Sequence, residues 1–175
     1  RFTSQQKIKL HKPLLSEVFA AVKQDMMTRR RPFPFFNIET KSKPATDDLY
    51  HPRPAEFVEL IMQVIKENEM EDFCIIQSFD FRTLQYLHQH YPQMKTAMLI
   101  EAYDPRSFEK QLDDLGFTPN IYSPAYQIVN ERLVEACHKQ NIKLVPWTAN
   151  DKAGIEKIKA LGADGVISDY PNLFE

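Results

Sequence analysis

Glycine is scarce in this chain, with four residues in 175. No G-x-G-x-x-G and no G-x-x-x-x-G-K-[ST] occurs, so the usual phosphate loops of dinucleotide- and nucleoside-triphosphate-binding folds are missing. Cysteine is scarcer still. Cys74 and Cys137 make neither a disulfide framework nor a zinc site by spacing, and both read as small core residues, one in an apolar strand and one on a helix. An excess of one charge is lacking too: 22 basic residues face 24 acidic ones, for a formal net charge of −2. That balance points away from a nucleic-acid or anionic-membrane partner. The single basic run, Arg29-Arg30-Arg31, follows a predicted helix and reads as a solvated C-terminal turn suited to the helix dipole. No apolar run approaches the ~18 residues of a membrane span. No secretory leader is visible, but the chain opens on Arg1 rather than Met, so a periplasmic or secreted compartment and a cytoplasmic one both stay open.

What the chain does contain is alternation. The first twelve residues are polar and irregular and read as a loop or extended arm. Pro13 then opens a helical pattern with Leu15, Val18, Phe19 and Val22 on one face. Strand-like runs begin near Phe35, Phe73, Ala97, Asn120, Lys143 and Gly165. Helical patterns fill the gaps, over Pro54 to Asn68, Phe81 to Tyr91, Pro105 to Leu115, Ile128 to Gln140 and Asp151 to Leu161. In the third of these, Asp104 is the expected N-cap, Pro105 the first helical residue and Gly116 the stop.

Strands alternating with helices at this period imply βαβ units and a parallel sheet in one domain over residues 1–175. The strands are nearly continuous apolar runs, as expected when both faces are covered. An open doubly wound sheet and a (β/α)₈ barrel both fit, and the scarcity of glycine turns the balance toward the barrel.

In a barrel the site forms where the strands end. Here those ends carry Glu39 and Lys41, Gln77 and Ser78, Glu101, Tyr122 and Ser123, Trp147 and Thr148, and Ser168 and Asp169. In "PFFNIETKSKP", strand alternation sets Asn37, Glu39 and Lys41 on one side and Phe36 and Ile38 on the other. An exposed strand facing water would show the same pattern, so the triplet alone does not define a site.

Three stretches together resemble the glycerophosphodiester phosphodiesterase family. They are "NIETK" (Asn37–Lys41), "KLVPWTAND" (Lys143–Asp151) and "LGADGVISDYP" (Leu161–Pro171). "IIQSFD" and "KPLLSEVFAAVK" also lie where that family has a Ser-Phe strand end and the helix before its third strand. The resemblance implies an α/β fold, a (β/α)₈ TIM barrel of the phospholipase C-like phosphodiesterase type, of which this chain would cover strands three to eight. It implies hydrolysis of glycerophosphodiesters to an alcohol and glycerol 3-phosphate, within glycerophospholipid metabolism, with one divalent cation, calcium or magnesium. Glu39 would be a metal ligand, Lys41 would lie near the phosphate, and Trp147 would line the pocket around the glycerol or leaving alcohol. Gln77, Phe79, Glu101 and Tyr122 are candidate lining residues; Asp169 and Pro171 read as structural.

The chemistry suits those roles, because a cation and a fixed ammonium stabilise charge growing on phosphate oxygens, and hard cations take carboxylate oxygen. The departure is equally specific. The family's opening His-Arg-Gly strand, and its second-strand Glu-x-Asp pair with the His-Asp that follows, are absent from the sequence; the resemblance assigns the general acid and base to those two histidines and the other metal ligands to the Glu-x-Asp pair. His51, in a loop near the presumed mouth, could at most contact substrate. His11 sits in the arm, and His88, His90 and His138 fall near helix ends. The missing strands would come from the same polypeptide or a second chain, and the fragment alone is expected to be inactive. Two other functions fit the fold: an aldolase-like barrel with Lys41 as the Schiff-base lysine, and a binding domain without catalysis.

Overall fold

The apolar runs and helical periodicities fold as a strand–helix alternation in the computed structural model, which describes Lys9 and residues 11–174. The expected N-terminal arm therefore lies mostly outside the described residues. Helix α1 (Leu15–Arg29) precedes strand β1 (Phe36–Glu39). The units that follow are α2 (Pro54–Glu67) with β2 (Cys74–Ser78), α3 (Phe81–His90) with β3 (Lys95–Ile100), and α4 (Phe108–Leu115) with β4 (Ile121–Pro124). Helix α5 (Glu131–Lys139), strand β5 (Lys143–Leu144) and helix α6 (Lys152–Ala160) complete the order.

Among the described residues five strands pair in parallel, and their order in the sheet is their order in the chain. Right-handed crossovers between successive neighbours place every helix on the same face of such a sheet. Consecutive helices α1 to α4 accordingly pack side by side. A doubly wound sheet would need its strand order to reverse at a switch point, and no reversal occurs. The arrangement is the singly wound one of a TIM-barrel-type fold. Among the described residues β1 pairs with β2 alone, so the sheet is an arc with β1 at its edge.

Register divides the side chains cleanly. Cys74, Ile76, Met98, Ile100 and Tyr122 belong to the core shared with Phe19, Val58, Met62, Ile65, Leu84 and Leu87 of the helices. Each fully buried aliphatic side chain there contributes about 1.5–3 kcal/mol. The opposite face of the sheet carries Asn37 and Glu39 beside Ile75 and Gln77, then Ala97 and Ile121.

Two expected elements differ in detail. Helix α4 starts at Phe108, because the Ser107 hydroxyl, not Asp104, caps it by accepting from the Lys110 N–H (3.2 Å). Gly116 ends it at φ +80° as expected. The sixth strand does not form a ladder. The Asp164 N–H donates to Leu144 O (2.9 Å) and the Ile167 N–H to Pro146 O (2.8 Å), so this segment does lie along β5. The Ala149 N–H returns a bond to Ile167 O (3.0 Å), but the bond back to Asp164 O would need an N–H at Pro146, which proline lacks.

Candidate functional site

The βα loops meet at the C-terminal edge of the sheet around an open cleft of about 930 Å³. Glu39, Lys41, Phe79 and Glu101 line it, together with His51, Asp80, Arg82, Tyr103 and Arg106. Four of the sequence-derived candidates are thus brought together. The Lys41 ammonium sits 2.9 Å from Oε2 of Glu39, with Lys41 largely exposed and Glu39 at 21 % exposure. Gln77 stands beside Glu39 in register but does not line the cleft; its Oε1 accepts from Asn37 Nδ2 (2.7 Å). Trp147 stands behind the cleft wall. Its indole meets the Phe79 ring edge-on at 5.4 Å, and its Nε1–H donates to Ser123 O (3.0 Å).

Tyr122 is not brought to the cleft. It pairs in register with Met98 and therefore faces the helices, where it is 2 % exposed and donates its hydroxyl to Gln111 Oε1 (2.6 Å). Burial pushes its phenol well above the ordinary value. Ser123, one residue on, has the opposite facing.

The residues that shape the cleft most were not among those candidates. An Asp-x-Arg tripeptide follows two successive strands, as Asp80-Phe81-Arg82 and Asp104-Pro105-Arg106. Each copy closes in the same way. The arginine backbone N–H donates to aspartate Oδ1 (3.2 and 3.0 Å), Nε donates to the same oxygen (2.9 and 3.0 Å), and Nη2 donates to Oδ2 (2.7 and 2.6 Å). Arg82 reaches on to both oxygens of Asp47 (2.7 and 3.0 Å), and Arg106 to Asp114 (3.0 Å). The buried Ser42 hydroxyl donates to Asp80 Oδ2 (2.9 Å). One cation thus ties the loop after β1 to the start of α3. Burial raises the Asp80 carboxyl, but hydrogen bonds from Arg82 and Ser42 and the charge of Arg82 outweigh it and hold the group below the usual range. Hydrogen bonding to Arg82 lowers Asp47 as well. The repeated tripeptide was the available sequence signal.

His51 lines the cleft with both ring nitrogens engaged. Nε2 accepts from the Lys43 N–H (3.0 Å), which leaves the proton on Nδ1, facing Pro52 O (2.9 Å). Its side chain is 8 % exposed. This imidazole holds a loop together and has no nitrogen to offer a substrate. His138 pairs with Asp164 (2.9 Å) at the opposite end of the sheet, beside the start of β5.

Among the described residues no cluster of three or more His, Cys, Asp or Glu side chains could hold a metal ion. Calcium and magnesium take six or more oxygen ligands. Glu39 offers a carboxylate at the right edge of the sheet, so these residues fit such an ion as a partial donor set. Lys41 is exposed and paired with a carboxylate, whereas an amine that forms a Schiff base is activated by desolvation or a neighbouring cation. Among the described residues no helix is long and apolar enough to cross a membrane.

The closing motifs also meet. Asn150 donates to Asp169 Oδ2 (2.8 Å) and accepts from the Asp169 N–H (2.9 Å), which joins the Trp-Thr-Ala-Asn segment to the Ser-Asp-Tyr-Pro segment.

The sequence profile of the Glycerophosphoryl diester phosphodiesterase family matches residues 3–173. A glycerophosphodiester phosphodiesterase of Bacillus altitudinis is 28% identical over 162 residues, which are 91% of this chain and 60% of that protein. Among solved structures, a glycerophosphodiester phosphodiesterase of Thermotoga maritima superposes with a TM-score of 0.63 at 26% identity, covering 93% of this chain and 62% of that one. A phosphodiesterase of Oleispira antarctica, solved with the product sn-glycerol-3-phosphate, superposes with a TM-score of 0.71 at 21% identity, covering 91% and 58%. The chain spans 45–60% of the length of the first curated relatives it matches.

Proposed function

This chain belongs to the glycerophosphoryl diester phosphodiesterase family, and from that membership we propose that it forms part of a hydrolase that cleaves glycerophosphodiesters to an alcohol and glycerol 3-phosphate. The observation that carries the reading is the Glu39–Lys41 pair at the lip of the cleft. A carboxylate from the last residue of β1 and an ammonium from the loop after it would meet a phosphodiester there. The Lys41 ammonium would leave Glu39 for a non-bridging phosphate oxygen, where charge grows as the P–O bond breaks. Glu39 would then be free to act as one ligand of a divalent cation, calcium or magnesium. When bound, such a cation supplies Lewis-acid stabilisation of the same oxygens. Phe79, backed by Trp147, would form the apolar wall beside the alcohol.

Residues 1–175 would be a single partial barrel domain corresponding to strands three to eight. Its remaining strands, from the same polypeptide or a second chain, would add to the free edge of β1 and bring the general acid and base histidines and the other metal ligands. His51 cannot stand in for those histidines, since both its nitrogens are engaged.

The test is release of glycerol 3-phosphate from glycerophosphodiesters by the intact protein, with and without a chelator. Turnover that stops on chelation and returns with calcium or magnesium is the expected result. No release, or release indifferent to chelator, overturns the reading. Borohydride trapping of a carbonyl compound on Lys41 would favour the Schiff-base alternative, and diester binding without turnover a non-catalytic domain.

A further inference from the structure

Three carboxylates line the cleft, and two of them are answered by a cation. Glu39 holds Lys41, and Asp80 holds Arg82. The third, Glu101, lies just past the end of β3 with no side-chain hydrogen bond or ion pair among the described residues. Arg106 lines the same cleft, but two carboxylates, Asp104 and Asp114, already bind it. The Glu101 end of the cleft therefore stays negative.

Aromatic rings line the same cleft as that charge. Tyr103, two residues after Glu101, is 80 % exposed, and Tyr50, from the loop after β1, is 86 % exposed. Both line the cleft with Phe79, itself 38 % exposed. Exposed rings beside an unpaired carboxylate are the chemistry that binds an organic cation. Ring faces attract it through their quadrupole, and the carboxylate adds charge without requiring a donated hydrogen bond.

Strand alternation puts Glu101 on the same face as Ala97, and register links Ala97 through Gln77 to Glu39. Two strand spacings, about 10 Å, separate β1 from β3 laterally. The cleft thus has the separable Glu39–Lys41 pair at one lip and the unpaired Glu101 carboxylate at the other. We propose that it selects diesters whose leaving alcohol carries a positive charge, a choline or ethanolamine ester, over neutral glycerol or inositol esters. The proposal rests on the phosphodiesterase reading for the orientation of the phosphate toward Lys41.

Titration calorimetry of the intact protein with glycerophosphocholine, glycerophosphoethanolamine and glycerophosphoglycerol tests it. The two cationic esters should bind about tenfold more tightly than the glycerol ester. Glu101→Gln should erase most of that preference, and Tyr103→Leu should weaken the choline ester more than the ethanolamine ester, whose ammonium can also donate hydrogen bonds. Equal affinity for all three, or a preference unchanged in Glu101→Gln, overturns the proposal. Glycerol 3-phosphate release measured on the same samples separates the two readings. Preference without turnover refutes the phosphodiesterase and keeps the cation subsite; turnover without preference does the reverse. Binding of none of the three refutes both.

Discussion

The ammonium of Lys41, in the loop after β1, lies 2.9 Å from a carboxylate oxygen of Glu39, the last residue of that strand. The pair is too exposed to matter much for folding, since such bridges contribute about 0–1 kcal/mol. Its value lies in being cheap to separate when a phosphate arrives. Lys41→Ala should therefore slow hydrolysis by about 10²–10³-fold, the usual loss for one charge-stabilising group, while thermal denaturation moves little. Glu39→Gln should abolish cation-dependent turnover with a similarly small change in melting. Full activity in both variants would remove the site from this edge of the sheet.

Arg82 has the opposite balance. It holds Asp80, whose side chain is 5 % exposed, and Asp47 beside it. Arg82→Leu leaves a buried carboxylate with Ser42 as its remaining side-chain donor, at a cost of about 1–3 kcal/mol. The sign with pH follows from the lowered pKa values of Asp80 and Asp47. A depressed carboxyl stabilises the fold above its unfolded pKa of about 3.9 and loses that contribution as pH falls through the lower folded value. Denaturant melts should show wild type and variant well apart at pH 7 and converging below about pH 4. A gap that widened in acid would contradict the network.

Cys74 and Cys137 are fully buried, and burial raises their thiols to about 11 and about 12. Only the thiolate reacts. A thiol reagent at pH 8 should therefore label neither cysteine in the native protein and both after denaturation. Fast labelling of either before unfolding would show that its surroundings open.

Much of this fold was legible because its signals are local and repeated. Each strand–helix unit is announced by an apolar run and a periodic stripe, and α3, α5 and α6 begin at caps provided by Asp80, Asn130 and Asp151, whereas α1 and α2 begin without a side-chain cap. The sixth strand runs along β5 without a ladder because Pro146 falls opposite it, a pairing that apolar content in one segment does not reveal. At the site, Glu39, Lys41, Phe79 and Glu101 were legible since each stands where a strand stops. The Arg82 and Arg106 forks were not, because a carboxylate and an arginine two residues apart in a loop look like ordinary solvated charge until the third partner, Asp47 or Asp114, arrives from elsewhere.

Tyr122 shows how a one-residue difference in facing changes a role. Strand side chains alternate, so a residue at a strand end faces the cleft or the helices, and its neighbour faces the other way. Tyr122 shares its facing with Met98, packs edge-on against Phe108 at 5.1 Å, and satisfies Gln111, which in turn donates to Arg106 O (3.2 Å). Tyr122→Phe keeps the ring and removes the hydroxyl, leaving Gln111 Oε1 without its donor in the core. The expected cost is about 1–2 kcal/mol of stability, read as a lower denaturation midpoint with an unchanged slope. Because the side chain lies behind the sheet, KM for a glycerophosphodiester should stay within about twofold of wild type, a small effect that marks a contact removed from the substrate. A large rise in KM with no loss of stability would mean that Tyr122 turns to the cleft after all.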